Sequence, residues 1–337
     1  AGDFDAAIVG TPDHSHALPV LLALRAGKHV YCEKPLTHNI REARAISEAW
    51  KPQRDKVATQ MGTQRAANNG KQAALKLLAD GIVGKARAVH AWSDRPTAGY
   101  AFGHGANRPL GADPVPDHLD WDLWLGGAPW RPYKEGLYTP FQWRAWRDFG
   151  TGAVGDMGCH ILDTAFFALG LGRPLSVRSQ AVDSTAEQCP TSQRCDLVFP
   201  GTAQTAADKL PFTWYDGQWP MDFESMGIPA DEGKKIAANT CIIVGTDGTF
   251  AVDEDGPLWL FRDGKKQDLQ VPEMPKINHY HQWVDACLGR TETRTPFDFA
   301  ANLTESLLLS AIASQFPEQD LQWDGDNMAF PNKPGAT

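Results

Sequence analysis

The stretch Val30-Tyr31-Cys32-Glu33-Lys34-Pro35-Leu36 decides how this chain folds. Its apolar run stops abruptly at polar residues followed by proline, as a buried parallel strand does where it delivers side chains to a ligand crevice. The earlier stretch Ala7-Ile8-Val9-Gly10-Thr11-Pro12 has the same form. Between them, residues 17–26 carry leucine and alanine at helical spacing, and Gly27 is a suitable C-cap. The pattern predicts a strand–helix–strand unit that ends in Glu-Lys-Pro.

The alternation of helix and strand continues to about residue 84. Apolar periodicity predicts a helix over 40–50, a short strand over 57–61 and a helix over 71–80. Such an alternation is typical of an α/β layer with a parallel sheet. We therefore expect residues 1–84 to form a partial Rossmann-type domain.

The character of the chain then changes. A strand is expected over 86–92, followed by a long segment over 95–140 that is rich in Pro, Gly and Trp. Further strands are predicted over 177–182, 196–199, 202–209, 241–244, 249–252 and 258–261, and helices over 280–288 and 299–315. Because short turns separate consecutive strands, we expect residues 85–337 to form an α+β domain with an open, mostly antiparallel sheet.

Composition excludes several classes of partner. The 337 residues carry a formal net charge of −9, which argues against nucleic acid or an anionic membrane, since both are bound through basic patches. No run approaches the roughly 18 apolar residues of a membrane-spanning helix. The composition is that of a soluble globular protein, and it is compatible with a cytoplasmic location and with export. Among six scattered cysteines, Cys189 and Cys195 could pair in an exported protein.

Asp156 and His160 are candidates for acid–base chemistry. They stand four apart in the predicted helix around Gly155–Asp163, and so share one face. A carboxylate beside an imidazole can hold its tautomer and raise its basicity. Lys34, at a strand end, is a further candidate for proton transfer. The alternatives are an ordinary acidic helix start with a capped histidine, and an exposed Lys–Glu pair at a turn.

Three motifs together resemble the Gfo/Idh/MocA family of nicotinamide-dependent sugar oxidoreductases. They are Thr11-Pro12-x-x-x-His16, Cys32-Glu33-Lys34-Pro35 and Gly155 to Asp163, with a weaker match at Asn278 to Trp283. The resemblance spans nearly the whole chain. It implies hydride transfer between nicotinamide and a hydroxyl of a sugar, polyol or glycoside, with a small carbohydrate as substrate. It also implies a homo-oligomer that covers the open sheet face, which would be costly to expose.

The resemblance implies roles for particular residues. The catalytic residues are Lys34, His160 and Asp156, and no metal is expected. The cofactor contacts are Thr11, Pro12, His16, Glu33, Lys34 and Gln60. The expected cofactor is NAD, with NADP as the alternative. Substrate contacts are expected from Trp92, Tyr138, Trp143, Arg147, Asp163 and Tyr280, because sugar rings stack on aromatic side chains. Arg144 and Arg147 could hold hydroxyls or a carboxylate, and the alternative for any one tryptophan is a place in the core.

The sequence departs from the family pattern in one respect. The family opens with a strand, a Gly-rich turn and a helix that hold the cofactor pyrophosphate, and this sequence matches only from a later strand onward. It therefore reads as an N-terminally truncated member. A literal G-x-G-x-x-G at Gly150, Gly152 and Gly155 follows a poor strand and lacks the acidic residue about 20 positions later. We expect these glycines to form a tight entry into the helix of Asp156.

The sequence is also compatible with two other functions. One is a glycosidase or lyase that retains its NAD and acts through a transient 3-keto sugar. The other is a catalytically inactive remnant that binds a sugar or itself. A metal site on Asp156 and His160 has little support, because no third and fourth ligand is evident.

Overall fold

A computed structural model describes residues 4–96 and 108–336 of the chain. The described residues form a three-stranded parallel sheet and a nine-stranded mixed sheet. The first unit contains β1 (Ala6–Val9), α1 (Ala17–Arg25), β2 (His29–Cys32), α2 (Ile40–Trp50), β3 (Thr59–Met61) and α3 (Asn69–Ala79). Its strands lie in the order β1-β2-β3, so the predicted Rossmann-type sheet is confirmed.

The second unit contains the remaining elements. They are β4 (Ala86–Trp92), α4 (Trp121–Leu125), α5 (Gly152–Leu169), β5 (Ser176–Val182), β6 (Ser192–Pro200), β7 (Lys209–Asp216), α6 (Ala230–Gly233), β8 (Thr240–Gly245), β9 (Thr249–Asp253), β10 (Leu258–Arg262), β11 (Lys265–Gln267), α7 (His279–Cys287), α8 (Phe297–Ala313) and β12 (Leu321–Gln322). The sheet order is β11-β10-β9-β8-β4-β7-β6-β5-β12. Of its pairs, only β4 with β7 is parallel, which confirms the mostly antiparallel sheet.

Local signals explain where several helices begin. The side chain of Asn39 accepts a hydrogen bond from the backbone of Glu42 at 3.0 Å, and so caps α2. Asn278 caps α7 in the same way. The glycines at 150–155 form the expected entry into α5, which begins at Gly152 with a φ of +68° that favours glycine. The interpretation of that motif as a helix entry agrees with the structure.

The predicted strand over 202–209 is wrong. Residues 202–208 form the turn between β6 and β7, and the strand runs from Lys209 to Asp216 instead. Pro211 within this segment argues against a strand, since proline cannot donate to a ladder. Tertiary context overrides that signal, because β7 lies between β4 and β6 and is buried along most of its length.

The two units share one apolar core. It runs from Val20 and Ile46 in the first unit to Phe166 and Leu307 in the second. Helix α8 packs on both α2 and α5, and the backbone N–H of Met61 in β3 donates to the carbonyl of Thr295, just before α8, at 2.9 Å. A boundary at residue 84 stays a prediction, because late elements of the chain return to the first unit.

The outer face of the second sheet is polar over β5, β6 and β7. Arg178 ion-pairs with Glu318 at 2.8 Å and Arg194 with Asp196 at 3.1 Å. The expectation that an exposed apolar sheet face has to be covered by a second subunit therefore does not apply to this face. None of the helices in residues 4–96 and 108–336 has the length and apolar character needed to cross a membrane. All six cysteines are free thiols, so the suggested pairing of Cys189 with Cys195 is not formed.

Candidate functional site

The site forms where the first sheet meets α5. Strands β1 and β2 are paired in register up to Val9 and Cys32, so the residues that follow them lie at one sheet edge. From this edge Lys34 reaches across to α5. Its Nζ donates to the Asp156 side chain at 2.5 Å and to the Asp156 carbonyl oxygen at 2.8 Å. Residues that are 122 positions apart in the chain therefore form one buried ion pair.

Asp156 binds three cations. Arg144 Nε donates to the same oxygen as Lys34, at 3.2 Å, and Arg95 Nη1 donates to the other oxygen at 3.1 Å. Burial alone would raise the pKa of this carboxyl, but the charges of Lys34, Arg144 and Arg95 hold it well below its usual value. Asp156 is therefore an ionised anchor, and both of its oxygens are occupied by donors.

His160 lies one helical turn beyond Asp156 and is 5% exposed. Its Nδ1 is buried and has no hydrogen-bond partner among the described residues. Burial lowers the pKa of its imidazole well below the usual value, and the nearby charges of Lys34 and Lys71 lower it further. His160 is therefore neutral at physiological pH, and one of its two ring nitrogens can accept a proton.

A second lysine, which was not predicted from the sequence, lies on the other side of His160. Lys71 Nζ donates to Asp163 Oδ1 at 2.5 Å and also to the backbone carbonyl oxygen of His160. Its side chain is 2% exposed. A lysine in the first turn of a helix usually lies at the surface, so no local signal marked it. Asp163 is occupied by this ion pair, which does not support its predicted contact with substrate.

Asp13 is a buried carboxyl beside the same site. It is 3% exposed and accepts a hydrogen bond from the Thr151 hydroxyl at 2.9 Å. Burial raises its pKa to about 7, although the charge of Lys34 opposes the shift. Asp13 was not among the predicted site residues. Its position within the first motif is the only feature of the sequence that points to it. This group can exchange a proton near neutral pH.

The predicted cofactor contacts fall into two groups. Thr11 is exposed, and Pro12, Glu33 and Lys34 are partly exposed at the carboxyl edge of the sheet. His16, by contrast, is 1% exposed, and its ring nitrogens lie 2.8 Å from the Pro35 carbonyl oxygen and 2.7 Å from that of Thr11. His16 therefore joins the loop after β1 to the loop after β2 and is itself buried.

Gln60 likewise connects two elements of secondary structure. It is 0% exposed, and its Nε2 donates to the His279 carbonyl oxygen at 2.8 Å, which ties β3 to α7. Gln60 is completely buried and His16 nearly so, and both side chains hold neighbouring segments together. Their contact with the cofactor stays a prediction.

Two of the predicted substrate contacts, Tyr138 and Arg147, are engaged by other parts of the chain in this structure. Tyr138 is 0% exposed and packs among Trp121, Trp146 and Phe149. Arg147 donates to Thr185 O, Ala311 O, Ser184 Oγ and Ser314 Oγ. Tyr138 is enclosed by the aromatic cluster, and the guanidinium of Arg147 is occupied by these four hydrogen bonds.

The other three predicted substrate contacts differ in exposure. Trp143 is 8% exposed and lies against the Arg144 guanidinium, 4.2 Å from its ring centroid. Trp92 packs edge-on against Phe223. Tyr280 is 53% exposed at the start of α7 and contacts Tyr31. Trp143 alone of these three is linked to the Asp156 site through a described contact.

The arrangement suits proton transfer beside a sheet edge. An ionised carboxylate anchors an ammonium group, a neutral imidazole lies one turn away, and a second carboxyl titrates near neutral pH. Gly10, just after β1, has nothing within 4 Å of where a Cβ would stand, so the space beside this strand end is open. Ligands of parallel α/β sheets bind in such crevices.

Comparison with known proteins identifies two family models. One, described as "Oxidoreductase family, NAD-binding Rossmann fold" of the Gfo/Idh/MocA group, matches residues 1–61. The other, the C-terminal alpha/beta domain of the same group, matches residues 69–205. Together they cover more than half of the chain. The matches confirm the family resemblance and the NAD-binding Rossmann character of the first unit.

Individual relatives are more distant. Inositol 2-dehydrogenase of Serratia proteamaculans is 34% identical over 102 residues, which is 30% of this chain and 30% of that protein. Levoglucosan dehydrogenase of Pseudarthrobacter phenanthrenivorans is 25% identical over 164 residues, 48% of this chain and 32% of that protein. The chain thus matches about a third of the length of these relatives. A solved structure of levoglucosan dehydrogenase with NADH and levoglucosan has a TM-score of 0.59 at 16% identity, covering 96% of this chain and 80% of that one. That likeness shows the shared fold.

Proposed function

The chain belongs to the Gfo/Idh/MocA oxidoreductase family, and from this premise we propose that it transfers a hydride between NAD and a hydroxyl of a sugar or polyol. The observation that carries the proposal is the ion pair of Lys34 with Asp156, one turn from the neutral His160. The relatives named as dehydrogenases of inositol and levoglucosan support this substrate class.

The residues at the strand ends fit a nicotinamide cofactor. Thr11 and Pro12 follow β1, and Glu33 and Lys34 follow the neighbouring β2, and all four are at least partly exposed. A nicotinamide bound there would accept or return the hydride. NAD is preferred to NADP because the matching family model is described as NAD-binding.

The chain's own residues handle the proton. His160 is neutral, so it accepts the hydroxyl proton as the substrate is oxidised. Lys34 Nζ uses two hydrogen bonds on Asp156, and its remaining N–H polarises the reacting oxygen. Asp156 stays ionised and fixes the position of the ammonium group. The burial of His160 and Asp156 limits the access of water to this exchange.

Steady-state assays of three variants test this assignment. Lys34→Met and His160→Gln should each lower kcat/KM for sugar-dependent NADH formation by at least about 100-fold, the scale of acid–base catalysis. The matched control is Lys76→Met, since Lys76 is a half-exposed lysine that pairs with Asp80 on the surface of α3. Equal activity of all three variants would refute the assignment.

A direct titration with NADH, followed by nicotinamide fluorescence, tests cofactor binding by this polypeptide. Saturation at micromolar concentration would support the proposal. Failure to bind would favour the inactive remnant considered above. Accumulation of NADH in step with sugar consumption would distinguish a dehydrogenase from the redox-neutral glycosidase or lyase, which the dehydrogenase relatives do not favour.

We also propose that the chain forms a homo-oligomer through the outer face of its large sheet. The face is polar, so complementary ion pairs would have to replace the apolar contacts first expected. Light scattering coupled to size exclusion measures the mass. The reversed charge in Arg194→Glu should lower it, and a monomeric wild-type chain would refute the proposal.

A further inference from the structure

The surroundings of Asp156 carry more positive than negative charge. Lys34, Arg95 and Arg144 all bind this one carboxylate. Among the described residues, neither Lys34 nor Arg144 forms an ion pair with any other carboxylate, and residues 97–107 contain no Asp or Glu. The single negative charge of Asp156 therefore serves both of these cations in addition to Arg95.

The carboxyl groups farther out compensate only in part. Burial raises the pKa of Asp13 to about 7, and it raises the pKa values of Glu33 and Glu254 as well. On the far side of His160, the charges of Lys71 and Arg65 also lower the pKa of its imidazole, but Asp163 and Asp255 pair with these two cations. The local excess of positive charge thus lies around Asp156, although the whole chain has a formal net charge of −9.

The guanidinium of Arg144 is held in place before any ligand arrives. Its central carbon lies 4.0 Å from the ring centroid of Phe141 and 4.2 Å from that of Trp143. Its Nε donates to Asp156, and its Nη1 donates to the Phe141 carbonyl oxygen at 3.2 Å. No described residue accepts a hydrogen bond from Nη2. A planar fork fixed in this way binds an oxyanion with little further loss of side-chain entropy.

Arg144 and Arg95 lie close to the reacting groups. Lys34 Nζ lies 2.5 Å and Arg144 Nε 3.2 Å from the same oxygen of Asp156. The separation of these two nitrogens is therefore no greater than the sum of the two distances. Arg95 reaches the other oxygen of the same carboxylate. Both arginine side chains are 21% exposed, which leaves part of each open to solvent. One sugar ring can therefore span from Lys34 to the two arginines.

We propose that the substrate is an anionic sugar, whose carboxylate, phosphate or sulfate group is bound by Arg144 and Arg95 while Lys34 and His160 act on a hydroxyl of the same ring. This inference rests on the proposed function, since it names the substrate class of that site. The anion supplies the missing negative charge, and charge-assisted hydrogen bonds to guanidinium select it over a neutral sugar. The two arginines thus determine specificity.

Matched sugars test the proposal on the unaltered chain with NAD present. Calorimetric titration compares D-glucuronate with D-glucose, and glucose 6-phosphate and glucose 6-sulfate distinguish a carboxylate site from a phosphate or sulfate site. At least one anionic sugar should bind about 10- to 100-fold more tightly than glucose, the range that charged hydrogen bonds supply. The preference should shrink as salt is added, because ions screen the attraction. Equal affinity for all four sugars would overturn the proposal.

Arginine variants locate the site. Arg144→Gln and Arg95→Gln should each remove most of the preference for the anion, measured in each variant as the ratio of its affinities for the anionic sugar and for glucose. Arg144→Lys, which keeps the charge and loses the fork, should fall between wild type and Arg144→Gln. The matched control is Arg178→Gln on the outer sheet face, which removes the same charge far from the cleft. A preference retained in both glutamine variants would refute the assignment.

The binding and turnover results separate this inference from the proposed function. Tight binding of an anionic sugar without NADH formation would refute the dehydrogenase and support the anion site. NADH formation from neutral sugars with no gain from an added charge would support the dehydrogenase and refute the anion site. Because binding is measured without relying on turnover, each proposal can fail alone.

Discussion

At the scale of single residues, the site depends on one saturated carboxylate. Asp156 is 5% exposed and is bonded to Lys34, Arg144 and Arg95. Such a group is more important as a counter-charge than as a proton carrier, because both of its oxygens already accept hydrogen bonds. The proton is left to His160, whose imidazole is neutral.

Asp156→Asn should destabilise the chain. The substitution keeps the shape but leaves three cations without their counter-charge, and removal of one partner from a buried ion pair costs about 3 kcal/mol or more. Urea unfolding at pH 7 measures the loss. The control Asp80→Asn breaks an exposed pair with Lys76 and should change stability by less than about 1 kcal/mol.

The pH dependence of this difference has a definite sign. The pKa of Asp156 is lower in the folded chain than the 3.8 of an ordinary aspartate. Its charge therefore stabilises the fold above pH 3.8, and that contribution is lost as the pH falls through the folded value. The gap between wild type and Asp156→Asn should narrow in acid, and a gap that widened would contradict the role of the charge.

Asp216 behaves in the opposite way. It ends β7 at 3% exposure, accepts a hydrogen bond from Trp214 Nε1 at 2.9 Å, and has one buried oxygen with no partner among the described residues. Burial raises its pKa from 3.8 to about 7. A raised pKa means that the fold is most stable with this group protonated, and stability is lost as the pH rises through about 7.

Asp216→Asn should therefore stabilise the chain in base relative to acid. Asparagine cannot ionise and can still accept the Trp214 bond. Between about pH 5 and pH 8 the advantage of the variant over wild type should grow by about 2 kcal/mol, because a tenfold change in proton affinity corresponds to roughly 1.4 kcal/mol. Unfolding curves at both pH values measure it, with Asp208→Asn on an exposed turn as the control. An advantage that is independent of pH would contradict a buried, titrating carboxyl.

At the scale of elements, α5 organises the site. Every residue of this helix except Phe167 and Ala168 is buried. One side presents Asp156, His160 and Asp163 to the two lysines, while Gly158 packs against Leu307 of α8. The absence of a side chain at Gly158 permits close packing of the two helices.

A double substitution tests this packing. In the wild-type chain, Gly158→Ala should cost about 1–3 kcal/mol, because its Cβ would overlap the buried Leu307 side chain. In the Leu307→Ala background the same change should be neutral or stabilising by up to about 1 kcal/mol, since alanine is the better helix former. Denaturant unfolding of the four proteins gives the coupling. If the cost of Gly158→Ala were the same in both backgrounds, Leu307 would not be the constraint.

At the scale of the whole molecule, we expect the two units to unfold together, because they share one apolar core. Besides the shared core, Arg44 of α2 makes a two-point ion pair with Glu305 of α8 at 2.6 and 2.8 Å. Trp323 near the C-terminus donates to the same carboxylate at 2.9 Å. The ion pair thus joins the Rossmann-type unit to a helix that follows the large sheet in sequence.

Glu305→Gln should weaken both units together. The loss of a buried carboxylate from Arg44 is expected to cost about 3 kcal/mol. Hydrogen exchange at increasing denaturant should show amides of β2 and of β6 losing protection at the same concentration, and at a lower one in the variant. Separate transitions for the two strands would mean that the units fold independently.

The sequence predicted the elements more fully than the site. The helices α2 and α8 and the strand β4 were predicted because their apolar periodicity is local and strong. Strand β7 was missed because Pro211 speaks against a strand, and only pairing with two neighbours overrides it. Lys71 was missed for a similar reason, since nothing near it in sequence indicates that it would be buried.

Local sequence was sufficient for the family, for the strand–helix–strand unit and for the grouping of Asp156 with His160 on one helix face. Each of these depends on residues close together in the chain, whose spacing alone fixes their geometry. The tertiary structure alone decided which side chains meet across long separations. It brought Lys34 and two arginines onto Asp156, it buried Tyr138 in the aromatic cluster, and it bonded Arg147 to Thr185 and Ser184. Burial and the charges of distant neighbours set these contacts and the pKa values, and neither can be read from spacing along the chain.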